Sequence, residues 1–324
     1  MLRASFAVAL LGCCALAHAV TPTGGAVLPG SEPEPVTLGV YIDSVHGFNF
    51  SDGTFRVSGY MWWKFKSKEF NPLAAMQIIN ARDVRVLQPA QQVFPDGRRY
   101  ASFPFFATIN QHLDAAAYPF DRHPLQIHIE TWYPAKELTL VPDTTESKLG
   151  NEVFSPGWRV SDLRVSAKPY TYPTNFGYVS QSDQTYSRAT IELTARRESS
   201  GLVFDAFIGF FVCGLLCLAG YLVNPALLGP RTTLIASATF AAMSNKYLIN
   251  SQIDSSVRSL LADRVALGAF LMIGALLATS AWCERLIEAG RTGQAARVNR
   301  LAFYCVLALY IAGNLLAFAL ALFK

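Results

Sequence analysis

The chain has 324 residues, of which 52% are hydrophobic and only 15% are charged. Because soluble domains carry roughly 25% charged residues, this composition excludes a chain that is water-soluble along its whole length. The formal net charge of +4, with no dense run of Lys and Arg, gives no support to a nucleic-acid partner. The cysteines lie only at the start and in the apolar half, so residues 20–200 contain neither a disulfide framework nor a thiolate zinc site.

The first 19 residues have the pattern of a secretory signal peptide. Arg3 gives a positive start, residues 6–16 form an apolar core, and Ala17-His18-Ala19 resembles a cleavage site. The apolar core is too short for a transmembrane helix, which is the main alternative. A lipoprotein site ending at Cys13 is a second alternative. A linker rich in Pro and Gly follows at residues 20–35.

Residues 36–195 contain short segments in which apolar and β-favouring residues alternate, separated by turn signals such as Pro95-Asp96-Gly97. The predicted strands are 36–45, 54–65, 82–87, 99–110, 124–132, 137–141, 158–166 and 185–195. Many short strands without a long amphipathic helix are typical of a β-sandwich. We therefore predict an immunoglobulin-like β-sandwich over residues 20–198.

Residues 199–324 are dominated by four apolar stretches, at about 202–223, 232–250, 264–283 and 300–323. Each is long enough to cross a bilayer as a helix, which predicts a four-helix transmembrane bundle. Basic residues on short loops face the cytoplasm. Arginines crowd the segment between the third and fourth stretches: Arg285, Arg291, Arg297 and Arg300. This predicts a cytoplasmic loop and places the β-sandwich on the other side of the membrane, as the signal peptide also requires.

The second stretch is less apolar than the others and carries a polar stripe. Its members recur at spacings of 3 and 4 residues, so they share one helix face: Thr233, Ser237, Phe240, Ser244, Tyr247 and Ser251. A polar face in a membrane must meet water or a partner, which makes this stripe a candidate pore lining. Two alternatives stay open. The hydroxyls could bond between helices of a compact bundle, or the neighbouring face from Thr232 to Lys246 could be the one that lines a pore.

A β-sandwich followed by four spans, with a polar second span, resembles the pentameric ligand-gated ion channels. Motifs along the chain support the resemblance in order: Phe94-Pro95-Asp96-Gly97-Arg98, Tyr118-Pro119-Phe120-Asp121, Glu130-Thr131-Trp132, Phe154-x-x-Gly157-Trp158 and the last strand from Ser187 to Arg197. The first motif is close to a bacterial, amine-gated member, and the second resembles the signature loop of the family. Gln111 and Leu125 stand where eukaryotic members have cysteines, which indicates the cysteine-free bacterial type.

The resemblance implies that a small-molecule agonist binds between neighbouring subunits in a box of aromatic residues. By position, the matching residues are Tyr60, Trp62, Arg98, Glu130, Trp132, Tyr172, Tyr178 and Tyr186. Aromatic faces attract a cation and a carboxylate pairs with an ammonium, so a protonated amine is the expected agonist class. The alternative is that these aromatics belong to the sandwich core, the position that we assign to Trp63.

The resemblance also implies a coupling element and a pore mouth. The coupling residues are Pro119, Phe120 and Asp121 of the signature loop and Arg197 just before the first span. Arg231 is expected to join the pore lining, where a ring of positive charges would suit anions. Asp254 at the outer mouth argues against this, as does the matching arginine of some cation channels, which turns away from the pore. His123, after the signature loop, either titrates near neutral pH or is an ordinary solvated loop residue.

Together these features predict a homopentameric ligand-gated ion channel of a bacterial inner membrane, multi-pass, with its N-terminal domain in the periplasm. Its expected partners are the agonist, inorganic ions and the lipid bilayer. We expect no cofactor, no metal and no enzymatic activity. The rival hypothesis is a membrane-anchored periplasmic sensor of the same fold that conducts no ions, in which the polar stripe only packs against its neighbours.

Overall fold

The computed structural model describes residues 32–177, 184–198, 202–252 and 260–322. Within these ranges a mostly-strand part comes first and long helices follow it. The predicted signal peptide, Tyr178 and Asp254 lie outside the described residues.

The N-terminal part forms two sheets. Its elements are β1 (Glu34–Asn49), β2 (Thr54–Phe65), α1 (Pro72–Ala75), β3 (Met76–Ile78), β4 (Ala81–Val86), β5 (Ala90–Val93), β6 (Arg99–Asn110), β7 (Arg122–Thr131), β8 (Leu138–Pro142), β9 (Lys148–Phe154), β10 (Trp158–Thr171) and β11 (Thr185–Arg197). One sheet has seven strands in the order β4-β6-β2-β1-β8, with β5 beside β6 and β9 beside β1. The other sheet has four strands in the order β10-β11-β7-β3.

The strands alternate between buried and exposed side chains, as the sequence pattern predicts. In β2 the side chains of Met61 and Trp63 are buried, while Tyr60 and Trp62 lie on the opposite face. Inward residues of both sheets form one continuous apolar cluster, and Trp63 is fully buried in it, as predicted. Two sheets that share one core are consistent with the predicted β-sandwich, and its immunoglobulin-like topology stays a prediction.

Four short elements, α1, β3, β5 and β9, occupy segments that the sequence pattern does not mark as structured. Strand β3 has only 3 residues, and all 4 residues of β5 are exposed, so no alternation reveals either strand. Strand β10 also runs past the predicted end at residue 166, although Pro169 argues for a stop. It continues because it pairs with β11 as far as Thr171 and Thr185.

Four long helices follow the strands: α2 (Leu202–Leu222), α3 (Leu228–Gln252), α4 (Leu260–Glu288) and α5 (Thr292–Leu322). Among the described residues, three segments are long and apolar enough to cross a membrane: Val203–Leu222, Leu261–Glu288 and Thr292–Ala321. Helix α3 interleaves Thr, Ser, Asn and Lys with apolar residues and is not one of them. Three candidate spans are therefore observed, and α3 as a fourth span stays a prediction.

Candidate functional site

Helix α3 has one buried face and one exposed face. The buried face points into the helices of its own chain through Arg231, Ala238, Ala242, Asn245 and Ile249. The exposed side carries every member of the predicted stripe: Thr233, Ser237, Phe240, Ser244, Tyr247 and Ser251. The aromatic pair on this face, Phe240 and Tyr247, is 76% and 78% exposed, far from the burial that large aromatic side chains ordinarily reach. The face predicted to line a pore is therefore left uncovered by its own chain.

The hydroxyl groups of the stripe bond along their own helix. Thr233 Oγ1 donates to the Gly229 carbonyl at 3.1 Å, and Ser237 Oγ donates to the Thr233 carbonyl at 3.0 Å. In the described part of the chain, no hydrogen bond joins the stripe to another helix, which weakens the alternative of hydroxyl bonds inside one bundle. On the neighbouring face, Lys246 forms an ion pair with Asp263 of α4, so that face is partly engaged within the chain.

Arg231 does not share the exposed face, contrary to the prediction that it lines the pore. Its side chain is fully buried and donates to Ser280 Oγ at 3.3 Å and to the side-chain oxygen of Asn299. It precedes Ala238 by two helical turns, so the helix places it on the buried face. Its Nε has no hydrogen-bond partner among the described residues. The expectation of anion selectivity from a ring of exposed arginines therefore loses its basis.

Asn245 joins α3 to α2 and is not among the predicted residues. Its Nδ2 donates to the Ala206 carbonyl at 2.8 Å, and its Oδ1 accepts from the Gly209 amide at 3.0 Å. The close approach of α2 to α3 at this contact requires glycine at position 209, because a Cβ on Gly209 would lie 2.6 Å from the Cβ of Asn245. A lone amide on the apolar side of α3, together with a glycine in the first apolar stretch, is the sequence signal for this contact.

The predicted coupling residues Asp121 and Arg197 form an ion pair in which the Asp121 side chain is buried and the Arg197 side chain is partly buried. Arg197 Nε and Nη2 donate to the two carboxylate oxygens at 2.7 and 2.9 Å, which is a bidentate arrangement. The guanidinium carbon lies 4.1 Å from the centre of the Trp158 ring, which adds a cation–π contact. Burial alone would raise the pKa of Asp121, but hydrogen bonds from His123 and Arg197 outweigh it and lower that pKa below its usual value of 3.8.

His123 is buried beside this pair, so the alternative of a solvated loop residue is wrong. Its Nε2 lies 3.0 Å from Asp121 Oδ2, and its ring centre lies 5.5 Å from that of Phe50 and 5.4 Å from that of Trp158. One carboxylate therefore faces both a guanidinium and an imidazole.

The signature loop packs against the helices. The Tyr118–Pro119 peptide bond is cis, and Tyr118 is buried in the same apolar cluster as side chains of α2 and α4. The ring centre of Phe120 lies 6.3 Å from that of Phe318 in α5. The loop that contains Asp121 therefore joins the strands to the helices.

Glu130 lies at the centre of a polar cluster on the four-stranded sheet. Its buried carboxylate accepts from Arg188 Nε at 2.5 Å and from the Tyr172 hydroxyl at 3.0 Å, one bond on each oxygen. Arg188 Nη2 also donates to the Tyr172 hydroxyl at 3.1 Å, which closes a triangle. Burial raises the pKa of Tyr172, and the neighbouring Glu130 carboxylate raises it further.

Aromatic rings surround this cluster. Tyr172 makes edge-to-face contacts with Tyr170, Phe176 and Tyr186 at centroid distances of 4.9, 5.2 and 5.9 Å. The guanidinium carbon of Arg188 lies 3.4 Å from the centre of the Tyr170 ring. Tyr172 and Tyr186 of the predicted set contact each other here, and Tyr170, Phe176 and Arg188 are not in that set. Tyr170 and Tyr172, two residues apart at the end of β10, are the sequence signal for this wider cluster.

Trp132 and Tyr60 present exposed rings outside this cluster. The side chain of Trp132 is 61% exposed, and its Nε1 donates to the Ala74 carbonyl at 2.9 Å. Tyr60 is 50% exposed and belongs to the seven-stranded sheet. Neither ring belongs to the sandwich core, so the core alternative is wrong for both. Their contact with a ligand stays a prediction.

Trp62 and Arg98 have partners of their own within the chain. The Trp62 ring fills the space that a Cβ on Gly39 would need, and its Nε1 donates to Asp143 at 3.1 Å. Arg98 forms an exposed salt bridge with Asp96 at 2.5 Å. Both side chains therefore have a structural role, and a ligand role for either stays a prediction.

The arrangement at Glu130 does not suit the expected protonated amine. Each carboxylate oxygen already accepts a hydrogen bond, and Arg188 occupies the position over the faces of Tyr170 and Tyr172. An ammonium would have to displace this guanidinium before it could pair with the carboxylate. The resemblance predicts a cationic ligand at this position, but Arg188 of the chain itself already places a cation there.

Comparison with known proteins gives one distant relative. No family model matches the chain. A proton-gated ion channel from Gloeobacter violaceus is 24% identical over 163 aligned residues. The match covers 44% of this chain and 45% of the relative, so the chain spans less than half the length of that relative. This relative is an ion channel, and the described part of the present chain has two sheets followed by three segments that are long and apolar enough to cross a membrane.

Proposed function

We propose that this chain is the subunit of a homopentameric ligand-gated ion channel, in which an agonist bound between subunits opens a pore lined by α3. The observation that carries the proposal is the exposed polar face of α3, in a chain whose other long helices are apolar enough for a bilayer. Such a face is costly against hydrocarbon and needs water or neighbouring copies. A closed ring of copies around a water-filled centre meets this need.

Coupling between ligand and pore would pass through the ion pair of Asp121 and Arg197. The contact of Phe120 with Phe318 supports this role, because it joins the loop of the ion pair to a helix. A ligand that binds the open form more tightly than the closed form shifts the equilibrium toward conduction. We place that ligand at the cluster of Glu130.

We also propose a bacterial inner membrane as the location, with the strand domain in the periplasm. The arginines around the turn between α4 and α5 support this orientation, since basic residues on short loops stay in the cytoplasm. The relative supports the membrane location, because it is an ion channel.

The test is ion flux through the purified full-length protein in liposomes, combined with mass measurement of the oligomer in detergent. We expect a pentamer that conducts ions, with protein-free liposomes as the control. A protein that binds ligands but conducts no ions would instead favour the membrane-anchored sensor.

A further inference from the structure

We infer that the outer surface around Arg188 binds a small organic carboxylate, and that this is the ligand class of the channel. The surface, here called the basic–aromatic patch, consists of Lys168, Tyr170, Tyr172 and Arg188 on or beside β10 and β11. The inference rests on the proposed function, because it treats the patch as part of the agonist site. It replaces the protonated amine that the resemblance leads us to expect.

The spare hydrogen-bonding capacity of the patch consists of donors. The Glu130 side chain is 4% exposed and carries a hydrogen bond on each oxygen, so it offers an incoming ligand no free acceptor. A guanidinium has five N–H donors. Arg188 uses Nε and Nη2 within the chain, and no acceptor for its Nη1 is found among the described residues. The Arg188 side chain is 15% exposed, so it is not sealed from solvent.

Lys168 adds a second positive charge to the patch. It is exposed and lies directly opposite Arg188 in the antiparallel pairing of β10 and β11. Side chains directly opposite each other project from the same face of a sheet, and like charges in this position repel. In the described ranges of the chain, Lys168 forms no ion pair that would relieve the repulsion. A bound anion relieves it, whereas a bound ammonium would add to it.

His128, on the same sheet, lies within range of the charge of Arg188. Burial lowers the pKa of His128 below its usual value of 6.5, and the charge of Arg188 lowers it further. The carboxylates of Glu130 and Glu192 act in the opposite direction and do not restore it. The positive charge of Arg188 is therefore felt at His128, and this charge attracts an anion to the surface.

The aromatic rings of the patch indicate what else the ligand carries. Tyr170 is 40% exposed, and its ring supports the Arg188 guanidinium while it contacts Tyr172 edge-to-face. Apolar ring faces beside a donor edge suit an organic acid with a small apolar body better than a strongly hydrated inorganic anion.

The test is isothermal titration calorimetry on the full-length protein in detergent near neutral pH, with sodium benzoate as the probe. Butylammonium chloride and sodium phosphate at equal ionic strength are the comparison ligands. We expect benzoate to bind more tightly than either. Lys168→Gln should weaken benzoate binding about 2–5-fold, as for the loss of an exposed charge contact.

The double variant Glu130→Gln/Arg188→Gln removes the guanidinium without leaving a buried carboxylate unpaired, and it should weaken benzoate binding at least about tenfold. Lys68→Gln removes an exposed lysine from the loop between β2 and α1, away from the patch. It is the matched control, and we expect it to leave benzoate binding unchanged. The inference is overturned if butylammonium or phosphate binds as tightly as benzoate. It is also overturned if the benzoate affinity is unchanged in both patch variants.

Ion flux in liposomes separates this inference from the channel proposal. If the protein conducts ions and is opened by butylammonium, the channel proposal stands and the inference of a carboxylate ligand is overturned. If the protein binds benzoate through Lys168 and Arg188 but conducts no ions, the carboxylate site stands and the channel proposal is overturned.

Discussion

Replacing Asp121 with Asn should strongly destabilise the protein. The Asp121 side chain is 1% exposed and accepts hydrogen bonds from two donors of Arg197, so the change leaves a partly buried guanidinium without its counter-ion. Removing one partner of a buried pair costs on the order of 3–5 kcal/mol. We expect the lower end, about 3 kcal/mol, because the Trp158 ring still contacts the guanidinium. For a domain of this size that loss lowers the Tm by roughly 6–12 °C.

The assay is thermal unfolding of the full-length protein in detergent, followed by tryptophan fluorescence. Asp162→Asn is the matched control, because the Asp162 side chain is 54% exposed and its salt-bridge partner Arg122 lies 3.8 Å away. Exposed pairs contribute about 0–1 kcal/mol. Asn also tolerates the positive φ of 58° at residue 162, so backbone strain does not confound the control. A Tm decrease for Asp121→Asn no larger than that for Asp162→Asn would refute the reasoning.

Because the pKa of Asp121 is lowered below 3.8 in the folded protein, its stabilisation is present above the unfolded pKa and is lost as the pH falls through the folded pKa. The stability difference between wild type and Asp121→Asn should therefore shrink on acidification below about pH 4, and a constant difference would contradict the lowered pKa. Phe240→Ser should make the liposomes leaky, since aromatic side chains at one level of a pore exclude ions by dewetting. Thr239→Ser is its control, and a leak from that variant alone would favour the neighbouring face of α3. Arg231→Gln should lower stability but leave the reversal potential in a chloride gradient at fixed sodium unchanged, because the Arg231 side chain is buried; a shifted potential would return Arg231 to the pore.

The sequence predicts the fold best where burial alternates strictly. Strands β2 and β6 have the predicted bounds, because every second side chain of each enters the shared core. Strand β5 carries no such signal, since its residues are exposed and its order depends on pairing with β6. Pairing partners are set by tertiary structure, so local patterns do not reveal a short edge strand.

Some residues of the candidate site could also be predicted from local sequence, and others could not. Asp121 and Arg197 could be predicted because a contiguous motif and a strand end mark them. The burial of the Arg231 side chain could not be predicted from the sequence. Packing against the neighbouring helices, and not the periodicity of α3, decides which face of α3 is buried. Arg188 resembles an ordinary solvated charge in a strand until the fold brings it to Glu130, which lies 58 residues away in the sequence.

The uncovered face of α3 also bears on the genetics of the protein. In a bilayer a lone chain would present Phe240, Tyr247 and the hydroxyls between them to lipid, so its most stable state requires neighbours. Identical copies that contact one another head to tail close into a ring only at a fixed number, and every incomplete ring keeps two open edges. A subunit that keeps its contacts with neighbouring copies but carries a disruptive substitution in α3 would therefore join rings and impair their function. For the proposed pentamer, equal expression of both alleles would leave only about 3% of the rings wholly wild type, so such an allele is expected to be dominant.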